Sequence, residues 1–230
     1  MSELWTDVDH YIEQTLVGQD PGLEAALAAT VAEGLPQINV SPSQGKLLNL
    51  IARMRWARRV LEVGTLAGYS TIWLARALPD DGEIVTLELD PHHAEVARKN
   101  LDFAGVGKMV EIKVGPASES FAQMIAAGAE PFDLVFIDAD KPSNLAYVNF
   151  ALQLSRPGTV IIVDNVVRNG AVIDPDGDAN VQGVRRLFEA VSGNPQLSAT
   201  AIQTVGSKGY DGFLIGIVAG AERRNGARDS

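Results

Sequence analysis

The feature that most constrains the fold of this chain is a regular alternation of short apolar runs with helix-like segments, beginning at Arg59. Strands that alternate with helices are joined by right-handed crossovers and form a largely parallel sheet with helices packed on it. The last two runs flank Gly206–Gly209, a segment that allows a hairpin and therefore one antiparallel strand. We predict an α/β fold on a doubly wound, mostly parallel seven-stranded sheet, with strands at 59–64, 83–89, 110–114, 132–138, 159–164, 197–205 and 211–219.

Helices are also predicted before the first strand. Apolar residues recur at helical spacing from Leu4 to Val17, and Pro21 marks the start of a second helix. These patterns predict an N-terminal helical addition over residues 1–57. Since 230 residues suffice for one well-buried core, we assign residues 1–220 to a single domain. Residues 221–230 are polar and lack periodicity, which predicts a flexible tail.

The composition argues against several classes of function. A formal net charge of −10 disfavours a nucleic-acid binder, because the phosphate backbone favours surfaces dense in lysine and arginine. The absence of cysteine removes disulfides, thiolate nucleophiles and zinc–thiolate sites. No apolar run approaches the roughly 20 residues that span a bilayer, and the N-terminus lacks the features of a signal peptide. We therefore expect a cytoplasmic protein without membrane or nucleic-acid partners.

Polar residues follow two of the predicted strands at the point where each ends. One apolar run ends in Asp138, three residues before Lys141, and the next strand ends in Asp164 and Asn165. The carboxyl ends of such strands meet at one edge of the sheet, where ligands bind. Three hard oxygen ligands suit Mg²⁺ or Ca²⁺ better than zinc or copper, and a lysine beside them could act as a base. The alternative is that these aspartates only cap helices or turns.

Glycines and an acidic residue follow the first two strands. Gly64 and Gly68 do not have the glycine spacing of a dinucleotide-binding motif, and no Walker lysine follows them. They either let the backbone approach a ligand closely or only allow a tight turn. Glu88 ends the second strand, where a carboxylate can accept hydrogen bonds from ribose hydroxyls, and Asp90 fits a helix cap better. The small residues of 115–118 either lie against an adenine ring or form a simple loop.

Together these motifs resemble the cation-dependent O-methyltransferases of the catechol and caffeoyl-coenzyme A type. These belong to the class I fold that uses S-adenosylmethionine (SAM), with a Rossmann-like methyltransferase sheet. The resemblance covers roughly residues 36–219. It is carried by Glu62–Thr65, Gly68–Ser70, Glu88, Phe136–Lys141 and Asp164–Val166.

The resemblance implies a reaction and a set of site residues. The implied reaction is methyl transfer from SAM to a hydroxyl of a catechol-like small molecule, with Lys141 as catalytic base and a homodimeric enzyme. The cation is expected to be Mg²⁺, with Ca²⁺ or Mn²⁺ as alternatives. The residues implied to bind SAM are Val40, Ser41, Glu62, Gly64, Ser70, Glu88, Pro116, Ala117 and Asp138. The residues implied to bind the cation are Asp138, Asp164 and Asn165.

Three other functions compete with this interpretation. A tRNA hydroxyuridine O-methyltransferase is disfavoured by the acidic charge, and a nucleotide-binding dehydrogenase by the glycine spacing. A non-catalytic SAM-binding protein would have no need of Lys141. Several plant members have a tryptophan soon after the Asp–Asn pair, and its absence from the run Val166–Gly170 argues against a coenzyme A thioester acceptor. Arg168 either meets an anionic substrate group or faces solvent, the second being preferred, and His92 and His93 are expected to be solvated.

Overall fold

The computed structural model describes residues 2–220, so the predicted flexible tail at 221–230 lies outside the described residues. A seven-stranded sheet in the order β3-β2-β1-β4-β5-β7-β6 organises this part of the chain. The strands are β1 (Arg59–Val63), β2 (Glu83–Glu88), β3 (Val110–Val114), β4 (Phe132–Ile137), β5 (Ser155–Asp164), β6 (Leu197–Gly206) and β7 (Gly209–Val218). The α-helices are α1 (Ser2–Ile12), α2 (Pro21–Ala32), α3 (Pro42–Met54), α4 (Tyr69–Ala75), α5 (Pro91–Phe103), α6 (Ala117–Ala126), α7 (Asn144–Gln153) and α8 (Ala179–Ser192).

The predicted sheet topology is confirmed. Strands β1 to β5 pair in parallel, whereas β7 runs antiparallel to both of its neighbours, β5 and β6. The strand order reverses between β1 and β4, which creates a crevice at their carboxyl ends. Val63 lies opposite Ile137 in the register, so these two strands end level with each other. The residues that follow β1 and β4 are thereby brought side by side.

The core lies on both faces of the central strands. All six residues of β4 are buried, as expected for a parallel strand covered by helices on each side. One cluster packs Phe121 of α6 and Val148 of α7 against the sheet. The other packs Ile72 and Trp73 of α4 against the opposite face. Burial of this apolar surface is the main stabilising contribution to the fold.

The predicted N-terminal helices are present, and a π-helical turn over Glu13–Val17 follows α1. Much of the apolar face predicted for this region is nevertheless exposed, including Leu4, Tyr11 and Leu16. The assignment of residues 1–220 to a single domain stays a prediction. Across residues 2–220, no helix combines the length and the apolar character needed to cross a membrane.

Strand β5 begins four residues earlier than predicted, because its first half pairs irregularly. The sequence Pro157-Gly158 reads locally as a turn. In the structure the pairing of β4 with β5 shifts register between Phe132 and Leu134, so that Ser155 already lies opposite Phe132. Thr159 donates a hydrogen bond of 2.6 Å to the Phe132 carbonyl and closes this irregularity. The strand is therefore extended by a contact that the local sequence does not reveal.

Candidate active site

A cavity of about 700 Å³ opens at the carboxyl ends of β1, β2 and β4. Most of the candidate site residues form its wall, although they come from six different segments of the chain. Those that line the cavity are Val40, Gly64, Ser70, Glu88, Pro116, Ala117, Asp138, Lys141 and Asn165. Ser41, Glu62 and Asp164 are not part of the wall and lie beside or behind residues that are. Ser41 caps α3 through a hydrogen bond from the Gln44 backbone N–H.

Gly64 begins the loop that joins β1 to α4. Its backbone lies close against the backbone of Asp138. Its φ of +98° favours glycine, and a Cβ there would overlap the carbonyl oxygen of Asp138. The Asp138 N–H in turn donates a 2.8 Å hydrogen bond to the Val63 carbonyl. The glycine is therefore required by packing between the two strand ends, as well as leaving the loop backbone open to the cavity.

Glu88 holds that loop in place. Its Oε2 accepts hydrogen bonds from the Thr65 N–H at 3.1 Å and the Leu66 N–H at 2.8 Å. Its Oε1 accepts the Asp90 N–H at 3.0 Å, and Asp90 itself caps α5, as the sequence predicted. Because each carboxylate oxygen can accept about two hydrogen bonds, Oε1 retains capacity for a ligand hydroxyl, whereas Oε2 is committed to the loop.

His93 was missed by the sequence analysis, which expected it to be solvated. It lines the cavity, and its Nδ1 lies 3.5 Å from Glu88 Oε1. Its side chain is 22% exposed. The signal that could have identified it is its position in the first turn of α5, which begins shortly after the strand end that carries Glu88.

Glu62 lies behind the cavity wall and is fully buried. Its carboxylate accepts hydrogen bonds from Ser70 at 2.6 Å, Thr71 at 2.5 Å and Thr86 at 2.7 Å. Burial raises the pKa of Glu62 to about 7, against the lowering effect of the three hydroxyls. In this conformation Glu62 positions Ser70, which lines the cavity. A direct contact between Glu62 and SAM stays a prediction.

The candidate cation site lies where β4 and β5 end. Lys141 is buried, and its Nζ lies 3.1 Å from Asp138 Oδ1. Asp164 is 3% exposed, and its Oδ1 accepts the Asn165 N–H at 2.8 Å. Burial is the larger cause that raises the pKa of Asp164, and the negative charge of Asp138 raises this pKa further.

Two carboxylates and one amide oxygen are the donor chemistry that Mg²⁺ and Ca²⁺ prefer. Within residues 2–220 there is no cluster of three or more His, Cys, Asp or Glu side chains suited to a metal ion, so the set depends on Asn165 as its third member. A positive charge placed between Asp138 and Asp164 would relieve the repulsion that raises the pKa of Asp164. The residues present therefore fit a divalent cation.

Gln44 was not identified from the sequence as part of this site. Its Nε2 donates a 2.7 Å hydrogen bond to Asp164 Oδ2. The next residue, Gly45, packs so closely on Trp73 that a Cβ would overlap the indole ring. This close packing holds the first turn of α3 against α4. No local pattern marks Gln44, because its partner is 120 positions away.

Aromatic and polar side chains of α7 and of the loop after β5 complete the cavity. Tyr147 and Phe150 line it, and Tyr147 donates a 2.6 Å hydrogen bond to Asp140, which also lines it. Burial, together with Asp140, raises the pKa of Tyr147 to about 12, so the phenol stays protonated. Arg168 lines the cavity as well, which favours contact with a ligand over the solvent-facing orientation preferred from the sequence.

Comparison with known proteins identifies relatives along nearly the whole chain. Residues 13–209 match the family model described as O-methyltransferase. A catechol O-methyltransferase of Mycobacterium tuberculosis is 54% identical over 212 residues, which cover 92% of this chain and 95% of that protein. A catechol O-methyltransferase of Niastella koreensis is 49% identical over 218 residues, which cover 94% and 99% of the two chains.

Solved structures give a consistent result. The O-methyltransferase TomG from Streptomyces achromogenes, involved in tomaymycin synthesis and solved in complex with SAM, superposes with a TM-score of 0.92 at 52% identity. That superposition covers 95% of this chain and 99% of TomG. An O-methyltransferase from Bacillus cereus in complex with S-adenosylhomocysteine (SAH) superposes with a TM-score of 0.93 at 52% identity, covering 95% and 100% of the two chains.

Proposed function

Because this chain belongs to the O-methyltransferase family and is a SAM-dependent O-methyltransferase, we propose that its acceptor is a hydroxyl of a vicinal dihydroxy aromatic. We further propose that a divalent cation and Lys141 take part in the reaction. The observation that carries the proposal is the buried Lys141 amine, 3.1 Å from Asp138 in the cavity that also contains Gly64 and Glu88. The names of the two bacterial relatives support the same class of acceptor.

In this proposal the methyl donor occupies the half of the cavity formed by β1, β2 and the loop after β3. Glu88 Oε1 accepts hydrogen bonds from the ribose, since its other oxygen is already bound to the Thr65 and Leu66 N–H groups. Pro116 and Ala117 lie along the adenine. Gly64 and Ser70 border the methionine part, which the segment containing Val40 and Ser41 covers from the other side.

The other half of the cavity would hold the cation and the acceptor. Asp138, Asp164 and Asn165 would be the cation ligands, with Gln44 keeping the Asp164 carboxylate in place. A divalent cation bound there would supply positive charge to two neighbouring hydroxyl oxygens and so favour loss of a proton. Asp138 also borders the methyl donor, because it follows β4 beside Gly64.

Lys141 would accept the proton of the reacting hydroxyl as a neutral amine, after its ammonium form has lost a proton to water. Electrostatic repulsion from a divalent cation held by Asp138 would favour this neutral form of Lys141. Its amine is buried and ion-paired with Asp138, so its position is well defined at the polar end of the cavity. The acceptor oxygen then forms a bond to the methyl carbon as the bond between that carbon and the sulfur breaks. The products are a methyl ether and SAH, and the proton remains on Lys141 until it passes to water. The contribution of the protein is mainly alignment of the two reactants.

The proposal is tested by methyl transfer from labelled SAM to catechol, with Mg²⁺ and again with EDTA. We expect activity with Mg²⁺, its loss in EDTA, and its return when metal is added back. Asp164→Asn should lower activity by at least about 10-fold at limiting Mg²⁺, since a first ligand is lost. Asp174→Asn, an exposed aspartate in the loop before α8, serves as the control.

Two outcomes would contradict the proposal. Activity that is indifferent to EDTA would remove the cation from the mechanism. No transfer to catechol under either condition, with SAM binding intact, would shift the acceptor away from small aromatics. In that case bulk tRNA is the next acceptor to assay, because a tRNA hydroxyuridine O-methyltransferase is the alternative function considered from the sequence.

A further inference from the structure

The basic side chains that line the cavity differ in the distance from their nitrogen atoms to the nearest carboxylate oxygen. Lys141 Nζ lies 3.1 Å from Asp138, and His93 Nδ1 lies 3.5 Å from Glu88. The nearest carboxylate oxygen to Arg168 in the part of the chain that the structure describes is Asp211 Oδ2, 4.0 Å from Nη1. The Arg168 guanidinium is therefore more weakly paired than the Lys141 amine, although the Arg168 side chain is only 31% exposed.

Asp211 is committed to the backbone beside Arg168 more than to its guanidinium. Its Oδ1 accepts the N–H of Val167 and the N–H of Arg168, each at 2.9 Å. A guanidinium carries five N–H donors in a planar fork. With Asp211 beyond hydrogen-bonding distance, those donors remain available for a ligand on the cavity side.

The backbone of this segment is held in a conformation that side chains rarely adopt. Asn165, Arg168 and Asn169 have φ values of 55°, 57° and 55°. Strained positions of this kind cluster at ligand sites, where surrounding contacts compensate their cost. Here the two hydrogen bonds to Asp211 supply that compensation. They fix Arg168 in the cavity wall, three residues after the candidate cation ligand Asn165.

We propose that Arg168 forms an anion subsite and that the acceptor is a vicinal dihydroxy aromatic acid. This inference rests on the proposed function, because it places the hydroxyls beside Asp138 and Asn165 and the acid group against Arg168. A guanidinium binds a carboxylate through two parallel hydrogen bonds, which fixes direction as well as position. The net charge of −10 offers an anion no general attraction, so its recognition requires a specific cation of this kind.

The test compares 3,4-dihydroxybenzoate with 3,4-dihydroxybenzamide, which has nearly the same shape and hydroxyls but no charge. With Mg²⁺ and saturating SAM, the wild type should methylate the acid with a kcat/KM at least about 10-fold higher, the usual scale of a charge-assisted hydrogen-bonded pair. Arg168→Gln should abolish this preference by lowering kcat/KM for the acid, while the amide changes less than about twofold. Arg168→Lys should restore part of it, since a lysine keeps the charge without the fork.

Arg186→Gln is the matched control, because it removes the same charge from an exposed position on α8. It should leave the preference for the acid unchanged. The wild-type comparison needs no variant, so the test remains decisive even if Arg168→Gln does not fold.

Equal methylation of acid and amide by the wild type would overturn the inference while leaving the proposed function in place. Equal loss of both substrates in a folded, SAM-binding Arg168→Gln protein would also overturn it. Methylation of neither compound would instead refute the proposed function.

Discussion

Gln44 donates a 2.7 Å hydrogen bond from its side-chain amide to Oδ2 of Asp164, joining the first turn of α3 to the end of β5. The other oxygen of Asp164 accepts the Asn165 N–H, so both oxygens of this buried carboxylate are oriented by neighbours. Removing a group that orients a metal ligand in this way typically lowers metal affinity by roughly 10- to 100-fold. Residues 38–40, a few positions before Gln44, line the cavity. The hydrogen bond thus links the cavity wall to the candidate cation site.

We predict that Gln44→Leu weakens Mg²⁺ or Mn²⁺ binding by about 10-fold, because the Asp164 carboxylate loses its positioning donor. Isothermal titration with the metal alone measures this without reference to activity. Gln153→Leu is the control, since Gln153 is exposed at the end of α7 and donates its side-chain hydrogen bond to the Asn149 carbonyl of the same helix. Equal metal affinities for Gln44→Leu and the wild type would show that the hydrogen bond plays no part in cation binding.

Replacement of Lys141 by methionine should lower kcat by about 100-fold or more, the usual contribution of a general base. SAM affinity should change by less than about twofold, because Lys141 contacts Asp138 at the acceptor end of the cavity. Single-turnover methyl transfer and SAM titration separate the two effects, with exposed Lys99→Met as the control. A parallel loss of SAM binding would assign Lys141 a structural role instead.

Glu62 should make the stability of the ligand-free protein depend on pH. Its pKa rises from 4.5 in the unfolded chain to about 7 in the fold, chiefly because of burial. The folded state therefore holds the proton more tightly, and stability falls as the pH rises from about 4.5 to about 7, by roughly 3 kcal/mol for this group. Urea unfolding at pH 5 and pH 8 should show a smaller difference for Glu62→Gln than for the wild type. Identical pH dependence in the two proteins would contradict this assignment.

Gly64→Ala should destabilise the protein more than Gly105→Ala. Both glycines have positive φ, 98° at Gly64 and 76° at Gly105, so each substitution carries a backbone cost of at least about 1 kcal/mol for alanine. Only at Gly64 would the new Cβ overlap the Asp138 carbonyl, whereas Gly105 faces open space. We expect Gly64→Ala to cost at least about 2 kcal/mol more than Gly105→Ala and to weaken SAM binding as well. Denaturant midpoints and SAM titration check both expectations, and equal midpoints would show that the strand ends can move apart.

The exposed apolar residues of the N-terminal region favour a homodimer. Leu4 is 63% exposed, Tyr11 68% and Leu16 73%, and burying such side chains against a second copy would be favourable. We predict a dimeric mass by sedimentation equilibrium, and a shift towards monomer for the double substitution Tyr11→Asp and Leu16→Asp. Phe103→Asp, which alters an equally exposed apolar residue on α5, should leave the mass unchanged. A monomeric mass for the wild-type protein would contradict the prediction.

The sequence predicted the site best where its residues stand next to a regular element. Asp138 and Asp164 were identified because each ends or directly follows an apolar run that could only be a buried strand. Glu88 and Asp90 were assigned different roles from their distances to the next helix, and the structure has Asp90 as the cap of α5. His93 was misjudged, because its approach to Glu88 depends on how α5 packs on the sheet. For Glu62 the resemblance implied a contact with SAM; its carboxylate accepts hydrogen bonds from three hydroxyls behind the cavity wall, and the contact with SAM stays a prediction.

The sequence by itself determined the order and type of the elements and the chemistry at the strand ends, since periodicity and turn residues act over a few neighbouring positions. Only the tertiary structure decided which distant groups support that chemistry. Gln44 bonds to Asp164 across 120 positions, and Asp211 fixes Arg168 across 43. Such contacts depend on helix packing and on the antiparallel insertion of β7 beside β5. No local pattern encodes them, because their energies arise only when segments far apart in the chain are brought together.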